Sequence, residues 1–95
     1  MAEIVETSWY LDWSALPQRL LWARLQAFSD GSAAVLDLDG RTHRFQSVVD
    51  ARIWLAEDEY SRVEDLIEAG EVEPVSTPQA ASDKQLVPLM LVRRM

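Results

Sequence analysis

Two Asp-Gly pairs, Asp30-Gly31 and Asp39-Gly40, stand nine residues apart and constrain this chain more than any other feature. Aspartate and glycine tolerate the positive φ that a tight hairpin turn requires. A repeat of nine leaves room for one short strand and its turn, so the spacing predicts an antiparallel meander over residues 20–46. Its strands are expected at Arg19–Phe28, Ala33–Leu38 and Arg41–Phe45. In the first, Leu21, Ala23, Leu25 and Ala27 form a uniformly apolar face, while Leu20, Trp22, Arg24, Gln26 and Phe28 form a mixed one. In the second, Ala34, Leu36 and Leu38 share a face. Trp9, Leu11 and Trp13 also alternate, which offers a fourth strand. Residues 1–8 are polar and expected to fray.

A helix follows the meander. Ser47 suits an N-cap and Asp50 falls in the first turn, where a negative charge favours the helix dipole. Val49, Ile53, Ala56 and Tyr60 recur at steps of four, three and four, with Val48, Ala51 and Leu55 beside them and Trp54 at the border. A second helical piece, Ser61–Ala69, carries Val63, Leu66 and Ile67 on one side, and Gly70 is its expected stop. From Glu71 the composition turns to proline and small polar residues, a linker signature. The last eleven residues, QLVPLMLVRRM, are apolar again. Three fates are open to them: an extra strand, a partner contact or a loose tail.

The expected organisation is a flexible N-terminus over 1–8, an α+β domain over 9–72, and a linker with an apolar tail over 73–95. The domain is a three- to four-stranded antiparallel β-meander packed on one or two C-terminal helices. Its expected core is Leu21, Ala23, Leu25, Ala34, Leu36, Leu38, Val49, Ile53, Leu55 and Ala56, with Leu66 and Ile67 at the edge.

Ninety-five residues fit one domain with a modest core. The absence of cysteine rules out disulfides and thiolate chemistry and makes a reducing cytoplasm the default. The opening MAEIVETSW carries two glutamates before any base, the wrong charge for a secretory signal. The longest apolar run, Leu86–Val92, contains Pro88 and is too short to span a membrane. Residues 57–73 hold eight carboxylates against one arginine, which equals the whole formal net charge of −7. Such a segment repels nucleic-acid phosphate and anionic lipid, and attracts basic partners.

No catalytic, cofactor or metal signature is present. Val35-Leu36-Asp37-Leu38-Asp39-Gly40 resembles the first motif of haloacid-dehalogenase-like phosphatases, where the first Asp is the nucleophile and the second the acid/base. The chain departs from that motif at Arg41, where threonine is usual, has only Lys84 as lysine, and lacks room for the βαβ layers of a phosphate pocket. A strand running into an Asp-Gly turn explains both aspartates. Asp37 and Asp39 offer only weak ligation to a hard cation, and nothing supplies the four or more remaining ligands, so an enzyme or metal site around Asp37, Asp39 and His43 is a minor third reading. His43, the sole imidazole, reads as a strand histidine packed beside Trp or Phe. Glu57-Asp58-Glu59 sit on consecutive helical positions, which diverge by about 100°.

Three strands and a helix also resemble the layout of AP2-type and integrase-arm DNA-binding domains, which implies nucleic-acid binding through a sheet face bearing Arg24, Gln26, Arg41 and Arg44. Asp37, Asp39 and the overall charge oppose that alternative. A further resemblance, carried by Asp30-Gly31-Ser32-Ala33, Asp37-Leu38-Asp39-Gly40 and Trp54-Leu55-Ala56-Glu57-Asp58-Glu59-Tyr60, is to a family of small uncharacterised bacterial proteins. It covers residues 9–73 and implies a bacterial, cytoplasmic setting with no known activity. The expected function is a non-enzymatic, acidic protein-binding or regulatory module, immunity- or inhibitor-like toward a basic partner, without cofactor. Its candidate contact residues are Glu57, Asp58, Glu59, Glu64, Asp65, Glu68, Trp9 and Trp13.

Overall fold

The computed structural model describes residues 2–16 and 18–93. The chain runs β1 (Ile4–Asp12), β2 (Arg19–Phe28), β3 (Ala33–Leu36), β4 (Thr42–Phe45), α1 (Val48–Glu57), β5 (Tyr60–Arg62), α2 (Val63–Glu68), α3 (Asp83–Leu86) and β6 (Leu91–Arg93). Short 3-10 turns lie at Trp13–Ala15 and Val87–Leu89. Every strand pair among the described residues is antiparallel. The order is β4-β3-β2-β1-β5, with β6 pairing β2 off that path. The fold class is thus α+β with an antiparallel sheet, but the sheet has more strands than the sequence suggests.

Both Asp-Gly pairs turn the chain. Gly31 and Gly40 adopt φ of 90° and 81°, open to glycine and strained for other residues. In the first turn the Phe28 N–H donates to the Ser32 carbonyl, and the Asp30 carboxylate accepts from the Ser32 N–H and hydroxyl. In the second the Asp37 N–H donates to the Arg41 carbonyl and the Gly40 N–H to the Asp37 carbonyl.

β2 is central in two senses. β1 pairs along nearly its whole length, from Leu11↔Trp22 to Ile4↔Phe28. Its other edge is shared by β3, at Arg24–Ala27, and by β6, at Arg19–Leu21. Both its faces are also buried. Tyr10, Ala23, Leu25, Ala33 and Val35 pack under Ala51 and Leu55 of α1. Leu11, Leu20, Trp22 and Leu36 pack on the other side with Val63, Leu66, Val72, Leu86 and Met90. The result is three layers: α1, the sheet, and a cover built from α2 and residues 72–90.

This two-sided burial corrects several expectations. Leu36 and Leu38 lie on the face opposite Ala23 and Leu25, because Leu25 pairs with Val35 and Leu36 with Arg24. Trp22, expected on a mixed outer face, is among the most buried side chains. Strands covered on both sides read as continuous apolar runs, so alternation carries no facing signal in them. The helix is also rotated from the expected stripe. Ala51 and Leu55 face the sheet, whereas Val49 and Ile53 remain 62% and 52% exposed and Ala56 is exposed. Ser47 does cap the helix, its hydroxyl accepting the Asp50 N–H at 3.1 Å.

Of residues 1–8, expected to fray, Ile4, Glu6, Thr7 and Ser8 pair with β2 in β1, with a bulge at Val5, and Met1 lies outside the described residues. The segment after Glu71 is not a free linker either, since Val72 is buried and Val75 half-buried. The tail docks: Leu86 and Met90 enter the core, the Trp22 N–H donates to the Met90 carbonyl at 2.9 Å, and Leu91–Arg93 extends the sheet. Pro88 sits in a 3-10 turn, where its missing N–H is harmless. A domain this small gains a second core only by recruiting its whole length. Arg94 and Met95 lie outside the described residues. No helix among the described residues is long and apolar enough to cross a membrane.

Met90→Ala should therefore lower unfolding stability by about 2–5 kcal/mol in urea titrations, the range for emptying a filled core site. Glu59 is the one described non-glycine residue at positive φ, 65°. Glu59→Gly should raise stability by about 0.5–1 kcal/mol, since relief of left-handed strain exceeds the added unfolded-state entropy.

Candidate functional site

The acidic residues are gathered by the turn between α1 and α2. α1 ends as the Asp58 N–H donates to the Leu55 carbonyl and the Glu59 N–H to the Ala56 carbonyl, both at 3.1 Å. The left-handed Glu59 then redirects the chain into β5. Its carbonyl accepts the Trp13 N–H at 3.0 Å, which ties the turn to the end of β1. β5 continues the pairing through Asp12↔Tyr60, Leu11↔Ser61 and Tyr10↔Arg62. α2 starts immediately and closes at Gly70, φ 77°, with the Glu71 N–H on the Leu66 carbonyl and the Gly70 N–H on the Ile67 carbonyl. This Schellman geometry is the stop that Gly70 announces in the sequence.

β5 is thereby an edge strand of three residues with carboxylates at both ends. Glu57, Asp58 and Glu59 precede it and Glu64, Asp65 and Glu68 follow it; all six are exposed. One local counter-charge is Arg62, whose Nε lies 3.7 Å from the Glu64 carboxylate. Exposed pairs of that kind contribute little stability, so the acidic field is not neutralised. Two shallow depressions flank the strand. One of about 360 Å³ lies among Tyr10, Arg52, Tyr60, Arg62 and Asp65. The other, about 440 Å³, is lined by Trp13, Ser61, Leu66 and Glu71.

The two candidate tryptophans part company. Trp13 is half exposed and adjoins the acidic turn. Trp9 packs against the core, its ring edge-on to Trp22 at 5.8 Å and 88°. It is a packing residue and not part of an exposed aromatic patch. Sequence reasoning missed β5 altogether, assigning Tyr60 to a helix stripe. Tyr60 is buried instead, between α1 and the sheet. The available signal was the β-favouring Tyr60 between two helical patterns, outweighed by the helical spacing of Val49, Ile53, Ala56 and Tyr60.

Part of the sheet face that the nucleic-acid alternative would use, at Leu20, Trp22 and Leu36, is packed under Val72, Leu86 and Met90. Arg24 is engaged there, its two terminal nitrogens 2.9 and 3.3 Å from the Asp83 carboxylate. Arg41 and Arg44 are exposed on and beside β4.

Burial, reinforced by the Asp37, Asp12 and Asp58 carboxylates, pushes the Tyr60 phenol well above its ordinary pKa. The folded chain keeps this proton after the unfolded chain has lost it. Stability is therefore fully present below about pH 10 and declines as pH rises beyond that value. Tyr60→Phe should flatten the alkaline decline, as read by denaturant midpoints measured from pH 8 to 11.5. Comparison with family models, with curated proteins and with solved structures finds no match to this chain.

Proposed function

We propose that this chain is a non-enzymatic protein-binding module that engages a basic partner at the acid-rimmed edge strand β5, as an immunity or inhibitor-like protein masks its target. The observation that carries this reading is the grouping of six exposed carboxylates around one short edge strand. An edge strand presents backbone donors and acceptors that an extended segment can pair with. Carboxylates at its two ends favour a segment bearing lysine or arginine, and speed its encounter. Half-exposed Trp13 adds an amphipathic anchor next to the turn, of the type enriched at interfaces. The acidic field disfavours nucleic acid and anionic membrane as alternatives.

The test is a titration of the ¹⁵N-labelled chain with an arginine- and lysine-rich extended peptide, paired with capture of basic proteins from lysate at graded salt. Amide shifts should concentrate over residues 57–68, and binding should weaken steeply between 50 and 300 mM salt. Joint reversal of Glu64, Asp65 and Glu68 to Lys should weaken it at least tenfold, about 1.4 kcal/mol. Peptide binding and capture that ignore both salt and these reversals would remove the reading.

A further inference from the structure

The Asp39-Gly40 hairpin gathers three side chains that the acidic edge does not use. The imidazole of His43 and the carboxylates of Asp37 and Asp39 each offer one ligand atom, all within 4.8 Å of one another. Hairpin register produces the juxtaposition. Val35 pairs with His43, so both lie on the α1 face of the sheet. Asp37, two residues beyond Val35, continues that face, and the turn sets Asp39 beside it.

Each group is held in place. The His43 ring lies against Trp54, with centroids 4.7 Å apart and planes inclined by 37°. Asp37 Oδ1 accepts the Leu38 N–H at 2.7 Å, and Asp39 Oδ1 accepts the Arg41 N–H at 2.8 Å. One oxygen of each carboxylate is thus tethered to backbone and its Oδ2 is left for another contact. The Oδ2 of Asp37 lies 4.0 Å from His43 Nε2, beyond hydrogen-bond reach.

The independent observation is that nitrogen. His43 Nε2 itself is shielded from solvent and has no hydrogen-bond partner among the described residues, while the rest of the side chain keeps 33% exposure. A polar atom withdrawn from water without a partner is costly, and such atoms mark sites that take a ligand. At the tetrahedral angle two metal–ligand bonds of about 2.1 Å hold their ligand atoms about 3.4 Å apart, so a single cation bridges the nitrogen and the oxygen once the 4.0 Å gap closes by about 0.6 Å. We propose that Asp37, Asp39 and His43 form a binding site for a divalent first-row transition cation of the zinc type, with water completing its coordination.

The donor set selects the class. One imidazole nitrogen with two carboxylates suits zinc and its neighbours, whereas magnesium and calcium take oxygen ligands throughout. The two backbone tethers do the work of outer-shell contacts, orienting ligands before a cation arrives. Arg41 is the built-in competitor. Its Nε lies 3.8 Å from Asp39 Oδ2, and its side chain is highly exposed, so it can leave the carboxylate to a better cation. In the sequence a site around Asp37, Asp39 and His43 is only a minor reading, because one histidine and no cysteine leave it without a metal-ligand motif.

The test uses the full chain without any affinity tag. It has one histidine and no cysteine, so its imidazole signals are unambiguous and no thiolate competes. Zinc chloride is titrated while the His43 ring ¹⁵N resonances and the heat of binding are followed, with magnesium chloride in a parallel series. The expected result is one zinc per chain, a large displacement of the Nε2 resonance, and at least tenfold weaker binding in both His43→Gln and Asp37→Asn. Arg41→Gln, which touches no core residue, should bind zinc several-fold more tightly and reads the site even if the other variants melt. An unperturbed Nε2, magnesium binding equal to zinc, or zinc affinity unchanged across the variants would each overturn the proposal.

Discussion

Everything in this fold depends on β2 being saturated. Its edges are filled by β1 on one side and by β3 and β6 in tandem on the other. Its faces are filled by α1 and by the 63–90 cover. A strand with no free edge and no free face contributes most when its neighbours are all in place, which makes the chain's two termini mutually dependent. β1 near the start and β6 near the end meet only through β2. Apolar burial, at about 25 cal/mol per Å², is the main term opposing chain entropy in a domain of this size. Two half-cores on one sheet supply more of it than the single core a meander and one helix would provide.

Charge is arranged around that apolar framework. The arginine that meets the covered face, Arg24, is paired with Asp83 of α3, which locks the C-terminal cover to the central strand. Its guanidinium is mostly buried, so loss of the aspartate would leave a desolvated cation. Six exposed acidic residues gather instead at the rim of β5, at the end of α1 and along α2. Fold stability and surface field are thus separated in space. The proposed partner surface and the hairpin cluster lie at different edges of the sheet, β5 and β4, with three strands, β3, β2 and β1, between them in the order.

Local features of the fold were legible. The Asp30-Gly31 and Asp39-Gly40 turns, the Ser47 cap and the Gly70 stop each rest on backbone chemistry within a few residues, which no distant contact has to supply. Facing was not legible. Leu20, Trp22, Ala23 and Leu25 are all buried, so no alternation distinguishes inside from outside. Val49 and Ile53 show why a helix stripe misleads: α1 has apolar residues around much of its circumference, and the sheet selected the narrower Ala51–Leu55 line. The charge segregation of 57–73 was visible at once, but the edge strand that organises it was hidden by helical patterns on both sides.

By itself the sequence determined turns, caps, the α+β class and the acidic segment, because each follows from φ preference, local hydrogen bonding or composition. The tertiary structure alone decided which faces are buried, that residues 72–93 complete the fold, and how closely His43 approaches Asp37 and Asp39. Those outcomes depend on contacts between residues far apart in the chain or across a turn. Their free energy is collective, arising from which surfaces leave water together, and no single segment carries a record of it.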